Sequence, residues 1–451
     1  MNEHLPAIHQ APWEAAFARV LTPLERFVRR QSSSSLLLMV CTLLALVLAN
    51  SPLSEAYLHG LHTPLAIQVG SHRFAMGLLH WVNEALMAFF FLLVGLELKR
   101  ALVAGELADW RQATLPIVAA VGGMVVPALL YWSLNPAGIA ATGWGIPMAT
   151  DIAFAVGALS LLGSRVPKSL AVFLVALAIV DDLGAVLVIA VFYTGKFNLT
   201  ALTSAALLTL LLITLNTGGV QRLLPYLLVG LALWCAMLAS GLHATLAGVI
   251  LAFCMPIRPK YNAAHFIQQV QALSQEMHND LSHHPNILLN DTLRARVAAM
   301  ERGVELVQAP AQRLEDQLHL PVAFLIIPLF ALANAAIPFH GIHFPALFTD
   351  TVFWGIGCGL VLGKWLGIAG ASWLAIRFGV ASLPAGMTLR HIHGLGLLGG
   401  IGFTMSIFIA DLAFATAPDL LVVAKTGILL ASVTAGLLGY AWLRWGCSPH
   451  Q

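Results

Sequence analysis

Long apolar runs recur along the whole of this 451-residue chain, many of them near or above the roughly 20 residues a helix needs to cross a bilayer. Only 10% of the residues are charged and 59% are hydrophobic, whereas a soluble domain carries about a quarter charged residues. These runs predict an all-α polytopic membrane protein, with twelve transmembrane helices at approximately 33–50, 78–98, 114–134, 144–162, 169–193, 200–216, 223–238, 241–255, 321–337, 353–375, 392–413 and 421–443. The segments outside them divide the basic residues unevenly. With the N-terminus inside, all but four of the 23 Lys and Arg fall on the inner side. The exceptions are Arg73, Lys196 and Lys425 outside and Lys364 within a span. Positive charge collects on the cytoplasmic side of membrane proteins, so both termini are expected there.

The expected layout is a cytoplasmic N-terminal segment (1–33), spans one to eight (34–256), a cytoplasmic amphipathic insertion (257–320), spans nine to twelve (321–445) and a short tail (446–451). In the insertion, Phe266, Val270, Leu273, Met277 and Leu281 repeat at helical spacing. Leu293, Val297, Met300, Val304 and Val307 do the same until Pro310, which predicts two surface helices. In "TPLAIQVGSHRFAM", Leu65, Ile67 and Val69 alternate before Gly70-Ser71, which reads as a small extracytoplasmic β-hairpin, with an irregular loop as the alternative. The five cysteines show no pairing or metal-binding spacing, and some thirty amphipathic residues before the first apolar run make a poor signal peptide. No phosphate-binding loop or dinucleotide fingerprint occurs, so a nucleotide-driven pump, a cofactor enzyme and a nucleic-acid binder are not expected.

Two spans are irregular in composition. "TGWGIPMATDIAFAVG" places Gly143, Gly145 and Pro147 before Thr150 and Asp151, and "GLGLLGGIGFTMSIF" holds Gly394, Gly396, Gly399, Gly400 and Gly402. Such density either interrupts both helices, as at a transporter's binding site, or lets helices pack closely.

Asp151, Asp181, Asp182 and Lys364 lie near the middle of their spans. An aspartate at the centre of a membrane helix costs on the order of 3 kcal/mol to insert, which argues for a function or a partner. Asp181 and Asp182 point about 100° apart on a helix, so one can face a cavity while the other meets a neighbouring helix. Adjacent carboxylates resist simultaneous ionisation, so the pair titrates as a unit. A deprotonated carboxylate suits a hard cation, and Na⁺ and H⁺ would then compete for one seat. The structural alternative is an ion pair of one aspartate with Lys364, which leaves a carboxylate over. Asp151 is open to two roles, neutralising half-helix dipoles or holding the cation directly. Glu84 and Glu97, nearer the ends of their span, are weaker candidates.

These stretches resemble the NhaA-type bacterial sodium/proton antiporters in "ALMAFFFLLVGLELKR" (85–100), "PMATDIAFAVGALSLLGSRVP" (147–167), "ALAIVDDLGAVLVIA" (176–190), "SGLHATLAGVI" (240–250), "PLFALANA" (328–335), "GLVLGKWLGI" (359–368) and "GIGFTMSIFIA" (400–410). The resemblance covers about 34–445. It implies an inverted-repeat antiporter fold with the fourth and eleventh helices broken. It implies electrogenic, pH-regulated export of Na⁺ or Li⁺ against H⁺ through a bacterial inner membrane, and a homodimer joined by the 64–76 hairpin. By the same resemblance Asp182 is the principal ligand of the transported ion, and Asp181 pairs with Lys364 and shares in proton exchange. Thr150 and Asp151 lie at the helix crossing near Thr404, and with Asp181 they complete the implied set of residues around the transported Na⁺ or Li⁺. Glu97 and the Arg313-Leu314-Glu315 stretch belong to pH sensing, with His243 acting indirectly or simply edging a span. No cofactor is implied. A coupled carrier of a small organic solute is the competing reading. Two departures stand out: the long insertion with His265, His278, His283 and His284, which either shifts the pH response or is an ordinary solvated surface, and Asp316, where relatives often carry histidine.

Overall fold

The computed structural model describes residues 31–69, 72–105, 107–194, 198–259, 263–283, 291–339 and 344–447. Along the chain run α1 (Gln31–Ala49) and α2 (Ser54–His62), strands β1 (Pro64–Val69) and β2 (His72–Gly77), then α3 (Leu78–Trp81) and α4 (Met87–Ala104), joined by a π-helical turn at Val82–Leu86. There follow α5 (Trp110–Leu134), a 3₁₀ stretch at Ile139–Met148, α6 (Ile152–Ser160), α7 (Lys168–Phe192), α8 (Leu199–Thr217), α9 (Leu223–Ser240) and α10 (Leu246–Cys254). Next come α11 (Ala263–His283) and α12 (Asp291–Val307). The chain continues with α13 (Pro310–Pro321), α14 (Ile327–Asn334), α15 (Phe344–Leu347), α16 (Thr351–Cys358), α17 (Lys364–Arg377), α18 (Leu389–Leu398), α19 (Phe403–Ala413) and α20 (Pro418–Gly446).

Polar residues at the ends of apolar runs begin several of these helices. Asp109, Asn198 and Asp350 each accept a backbone N–H in the first turn of α5, α8 and α16, which satisfies donors a helix start leaves open. Gly241, at φ +85°, ends α9 in the left-handed region where glycine is favoured. Among the described residues eight helices are long and apolar enough to cross a membrane, or ten if each of two bent pairs is one span. The expected twelve are therefore not all matched by long apolar helices: α4 carries Glu97, Lys99 and Arg100, and α10 has nine residues. The ninth expected span also begins early. Pro310, which interrupts the periodicity of α12, opens α13, and Pro310–Asn334 runs on as one span-length helix through a π-helical turn. Proline suits a first helical position because its missing N–H is not needed there.

The two strands pair antiparallel, Leu65 opposite Met76 and Ile67 opposite Phe74; the Gly70-Ser71 turn lies outside the described residues. Phe266 of α11 meets Gly303 of α12, and Arg296 pairs with Glu276 at 3.2 Å. His265 and His278 are exposed, the His283 side chain is not described, and His284 lies outside the described residues.

Contacts group the chain into two units. One takes in the described residues up to Asn83, Asp109–Val188 and everything from Leu320; the other takes in Glu84–Ala108 and Ile189–His319. The first has a core that includes Leu115, Ala119, Leu174, Leu177, Ile368 and Leu398. Close approach of α5 and α17 is bought by glycine: a Cβ on Gly367 would stand 2.2 Å from the Gly122 carbonyl oxygen. Gly367→Ala is therefore expected to cost about 1–3 kcal/mol of stability through overpacking, read as a lower melting temperature in detergent. Gly370→Ala, where a Cβ meets nothing within 4 Å, should leave the melting temperature unchanged or slightly raised.

Candidate functional site

The first unit brings together Thr150, Asp151, Asp181, Asp182, Lys364 and Thr404, all buried. Their positions follow from the elements that carry them. α7 is a nearly unbroken apolar helix, so Asp181 and Asp182, each 1% exposed, sit among apolar neighbours along it. Lys364 opens α17 directly after the π-helical turn Gly359–Gly363, and its side chain is fully buried. Here Gly363 packs against Pro127, and Gly184 of α7 packs against the Met124 sulfur, so small residues let α5, α7 and α17 close around the charges.

Lys364 Nζ donates to Asp181 Oδ2 at 2.7 Å. Thr150 stands near the same carboxylate, and the ammonium also acts through space on Asp182. One ammonium cannot neutralise two carboxylates. A buried pair keeps its charges only where geometry and hydrogen bonds offset lost hydration, and Asp181 holds the lysine directly.

Asp151 is placed differently. The 3₁₀ stretch ends at Met148, Ala149 is extended, and Asp151 caps α6, its Oδ1 accepting the Phe154 N–H at 3.1 Å. On the other side α18 and α19 meet at a 48° bend across Gly399–Gly402. The two interruptions are joined by hydrogen bonds: Asp151 N–H donates to the Ile401 carbonyl at 2.6 Å, and Thr150 Oγ1 to that of Gly399 at 2.9 Å. Asp151 Oδ2 accepts the Thr404 N–H at 3.0 Å and its hydroxyl at 2.5 Å. Three donors thus occupy the Asp151 carboxylate at the N-terminal ends of α6 and α19, where helix dipoles favour negative charge. Thr404→Val keeps the backbone donor and removes the hydroxyl, with an expected cost of about 1.5–3 kcal/mol for a charged hydrogen bond, visible in thermal unfolding.

The other candidates lie in the second unit. Glu97 sits near Glu315 and Arg100, and Arg100 Nε pairs with Glu315 Oε1 at 2.8 Å. Lys99 donates to the carbonyls of Phe253, at 2.7 Å, and Met255 at the end of α10, where cations suit the dipole. Leu314 is buried, Arg313 partly so, and Asp316 exposed. His243 contacts the Tyr193 carbonyl through Nε2 at 2.7 Å and approaches Glu84 Oε1 at 3.6 Å through Nδ1. Glu84 is 7% exposed and accepts the Ala244 N–H at 3.0 Å. It is a partnered interior group, although its place near a span's end suggests one that reaches the interface. A second omission from the sequence reading is an ion pair in the first unit, Lys425 Nζ to Asp411 Oδ1 at 2.8 Å. The signal for it is a lone aspartate in "SIFIADLAFATAP".

A family model described as Na⁺/H⁺ antiporter 1 matches residues 25–443. The chain is 53% identical over 431 residues to "Na(+)/H(+) antiporter NhaA 1" of Saccharophagus degradans, covering 96% of this chain and 93% of that one. It is 49% identical to "Na(+)/H(+) antiporter NhaA" of Sulfurimonas denitrificans, covering 96% and 98%. It is 45% identical to the protein of the same description in Escherichia coli O1:K1, covering 94% and 99%.

Proposed function

The chain belongs to the Na⁺/H⁺ antiporter family, a family of secondary transporters rather than enzymes, and on that premise we propose that it exports Na⁺ or Li⁺ from the cell in exchange for H⁺. It is a multi-pass inner-membrane protein. The observation that carries the site reading is a buried lysine, Lys364, bonded to Asp181 beside a second carboxylate, Asp182.

In this reading Asp182 is the exchangeable seat, holding either H⁺ or the alkali cation. Asp181, tied to Lys364, shares in the proton exchange, because loss of its partner's charge and gain of its own proton are linked. Asp151 serves the electrostatic role at the crossing of two interrupted spans, its oxygens already accepting three hydrogen bonds. Thr150 is the remaining oxygen-bearing neighbour of the cation. Seats that alternate between two sides need no further coupling device, and the two interrupted elements supply the irregular backbone on which such alternation is built. The twelve-span, inverted-repeat arrangement, with both termini cytoplasmic and 257–320 as a cytoplasmic insertion, follows the family resemblance and the uneven spread of Lys and Arg. Glu97, Glu315 and His243 adjust activity with pH from the second unit, and copies pair through the 64–76 hairpin. Removing residues 65–76 should therefore yield monomers by light scattering in detergent.

Acid-loaded inverted vesicles containing the protein should lose their pH gradient when NaCl or LiCl is added. More protons than cations cross per cycle, so membrane potential drives transport at about 2.3 kcal/mol per net charge per 100 mV. Clamping the potential with valinomycin and K⁺ should accelerate the response. No Na⁺-dependent proton movement would contradict exchange, and an unchanged rate under the clamp would contradict electrogenicity.

A further inference from the structure

The ion pair between α19 and α20 borders a cavity of about 470 Å³ in the first unit, lined by His62, Gly77, His80, Asn83, Asp411 and Leu421 among others. Three features give it chemistry. Asp411 holds Lys425 through Oδ1, while its Oδ2 is buried and accepts no hydrogen bond among the described residues. Two imidazoles, His62 and His80, and the Asn83 amide supply a polar wall. Asn83 is fixed by exchange of hydrogen bonds with Asn334 at 2.7 and 3.3 Å, so that wall is anchored to a buried residue.

The cavity also has a helical link to the buried charges. Asp411 follows Thr404 by seven residues on α19, a helix without internal break. Seven residues make almost two full turns, so the two side chains share a face, about 10 Å apart along the axis. The same stripe therefore carries the hydroxyl that binds Asp151 at one end and a carboxylate at the cavity at the other. At the cavity end it stands beside the hairpin, since Gly77 closes β2.

We propose that this cavity is the port through which exchanged cations pass on the hairpin side, and that Asp411, restrained by Lys425, is the carboxylate that concentrates monovalent cations there. A carboxylate at a low-dielectric opening raises the local concentration of cations, and salt weakens that attraction. Lys425 occupies one oxygen with a tethered monovalent cation and leaves the other oxygen for a mobile one. The inference rests on the exchange reading above and assigns it a route.

Inverted and right-side-out vesicles distinguish the possibilities, with Na⁺ varied on the outer face of each. In the orientation that presents the hairpin side, Asp411→Asn should raise half-saturating Na⁺ by about threefold or more at unchanged maximal rate. Lys425→Gln should lower it. In the opposite orientation neither variant should move it, and added choline chloride should shrink the Asp411→Asn effect. A merely structural ion pair gives another pattern: both variants then reduce the maximal rate in both orientations and lower the melting temperature, while the double variant recovers. That pattern, or unchanged half-saturation in both orientations, overturns the proposal. Wild-type protein that moves no protons with Na⁺ would instead be a failure of the exchange reading itself.

Discussion

Asp182→Asn is expected to reduce Na⁺-dependent proton movement to background while the protein still reaches the membrane and purifies as a folded species. Asparagine keeps the shape of aspartate but neither ionises nor gives up a proton in the working pH range, so it removes both halves of the competition. Stability should not suffer. Asp182 is 1% exposed in the middle of an apolar helix, where a charged aspartate costs on the order of 3 kcal/mol to insert, so the neutral amide is at least as easily accommodated. The melting temperature is expected to match or exceed that of the wild type. Exchange at the wild-type rate in this variant would remove Asp182 from the transport path. A variant that fails to fold would instead mark the residue as structural.

The second large effect concerns Lys364. Lys364→Ala strands the Asp181 carboxylate in a site where neither partner's side chain has measurable exposure. Removing one member of a buried pair typically costs about 3–5 kcal/mol, because the remaining charge is left without compensation. Thermal unfolding of the purified protein in Na⁺-free buffer should show that loss. Asp181→Asn in the Lys364→Ala background should recover much of it, since the carboxylate that had lost its bonded partner is then neutral. The double-mutant cycle should give a coupling energy well above the few tenths of a kcal/mol expected for independent sites. Additive effects would contradict a direct pair. In transport, Lys364→Ala should also alter the pH dependence of exchange, because Asp181 then titrates without its cation.

Much of this was legible in the chain itself, for particular physical reasons. Apolar runs cannot be mistaken where almost nothing charged interrupts them, so α5, α7, α8, α9 and α20 were evident. The alternation of Leu65, Ile67 and Val69 marked β1, and helical spacing marked α11 and α12. Adjacent aspartates inside such a run were conspicuous for the same reason. What stayed hidden was mainly pairing across distance. The Glu84–His243 contact joins residues 159 positions apart in the chain, and nothing local to "NEALM" or "GLHAT" announces it. Asp411 and Lys425 were concealed by position: each lies near a span's end, where a charge looks able to reach water. Lys425 counts as an outside residue in the charge tally, yet in the structure its side chain is 12% exposed.

Helix boundaries failed where backbone chemistry, not hydropathy, decides them. Pro310 reads as a breaker at the end of a periodic stretch, yet it begins α13, and the helix runs on to Asn334. The glycines before Thr150 left open either interruption or close packing. The 3₁₀ stretch and the extended Ala149 show how a backbone rich in glycine and proline yields its regular hydrogen bonds. Freed polar groups then find partners across the gap, as the Asp151 N–H does at Ile401 and the Thr150 hydroxyl at Gly399.

The most direct measurement is of protons released when Na⁺ binds the purified protein, by calorimetry in buffers of different ionisation enthalpy over a range of pH. A shared carboxylate seat predicts proton release on binding and an apparent Na⁺ affinity that falls about tenfold per pH unit once the seat is protonated. Both should vanish in Asp182→Asn. Sodium binding that releases no protons and keeps one affinity from acid to alkaline pH would contradict it.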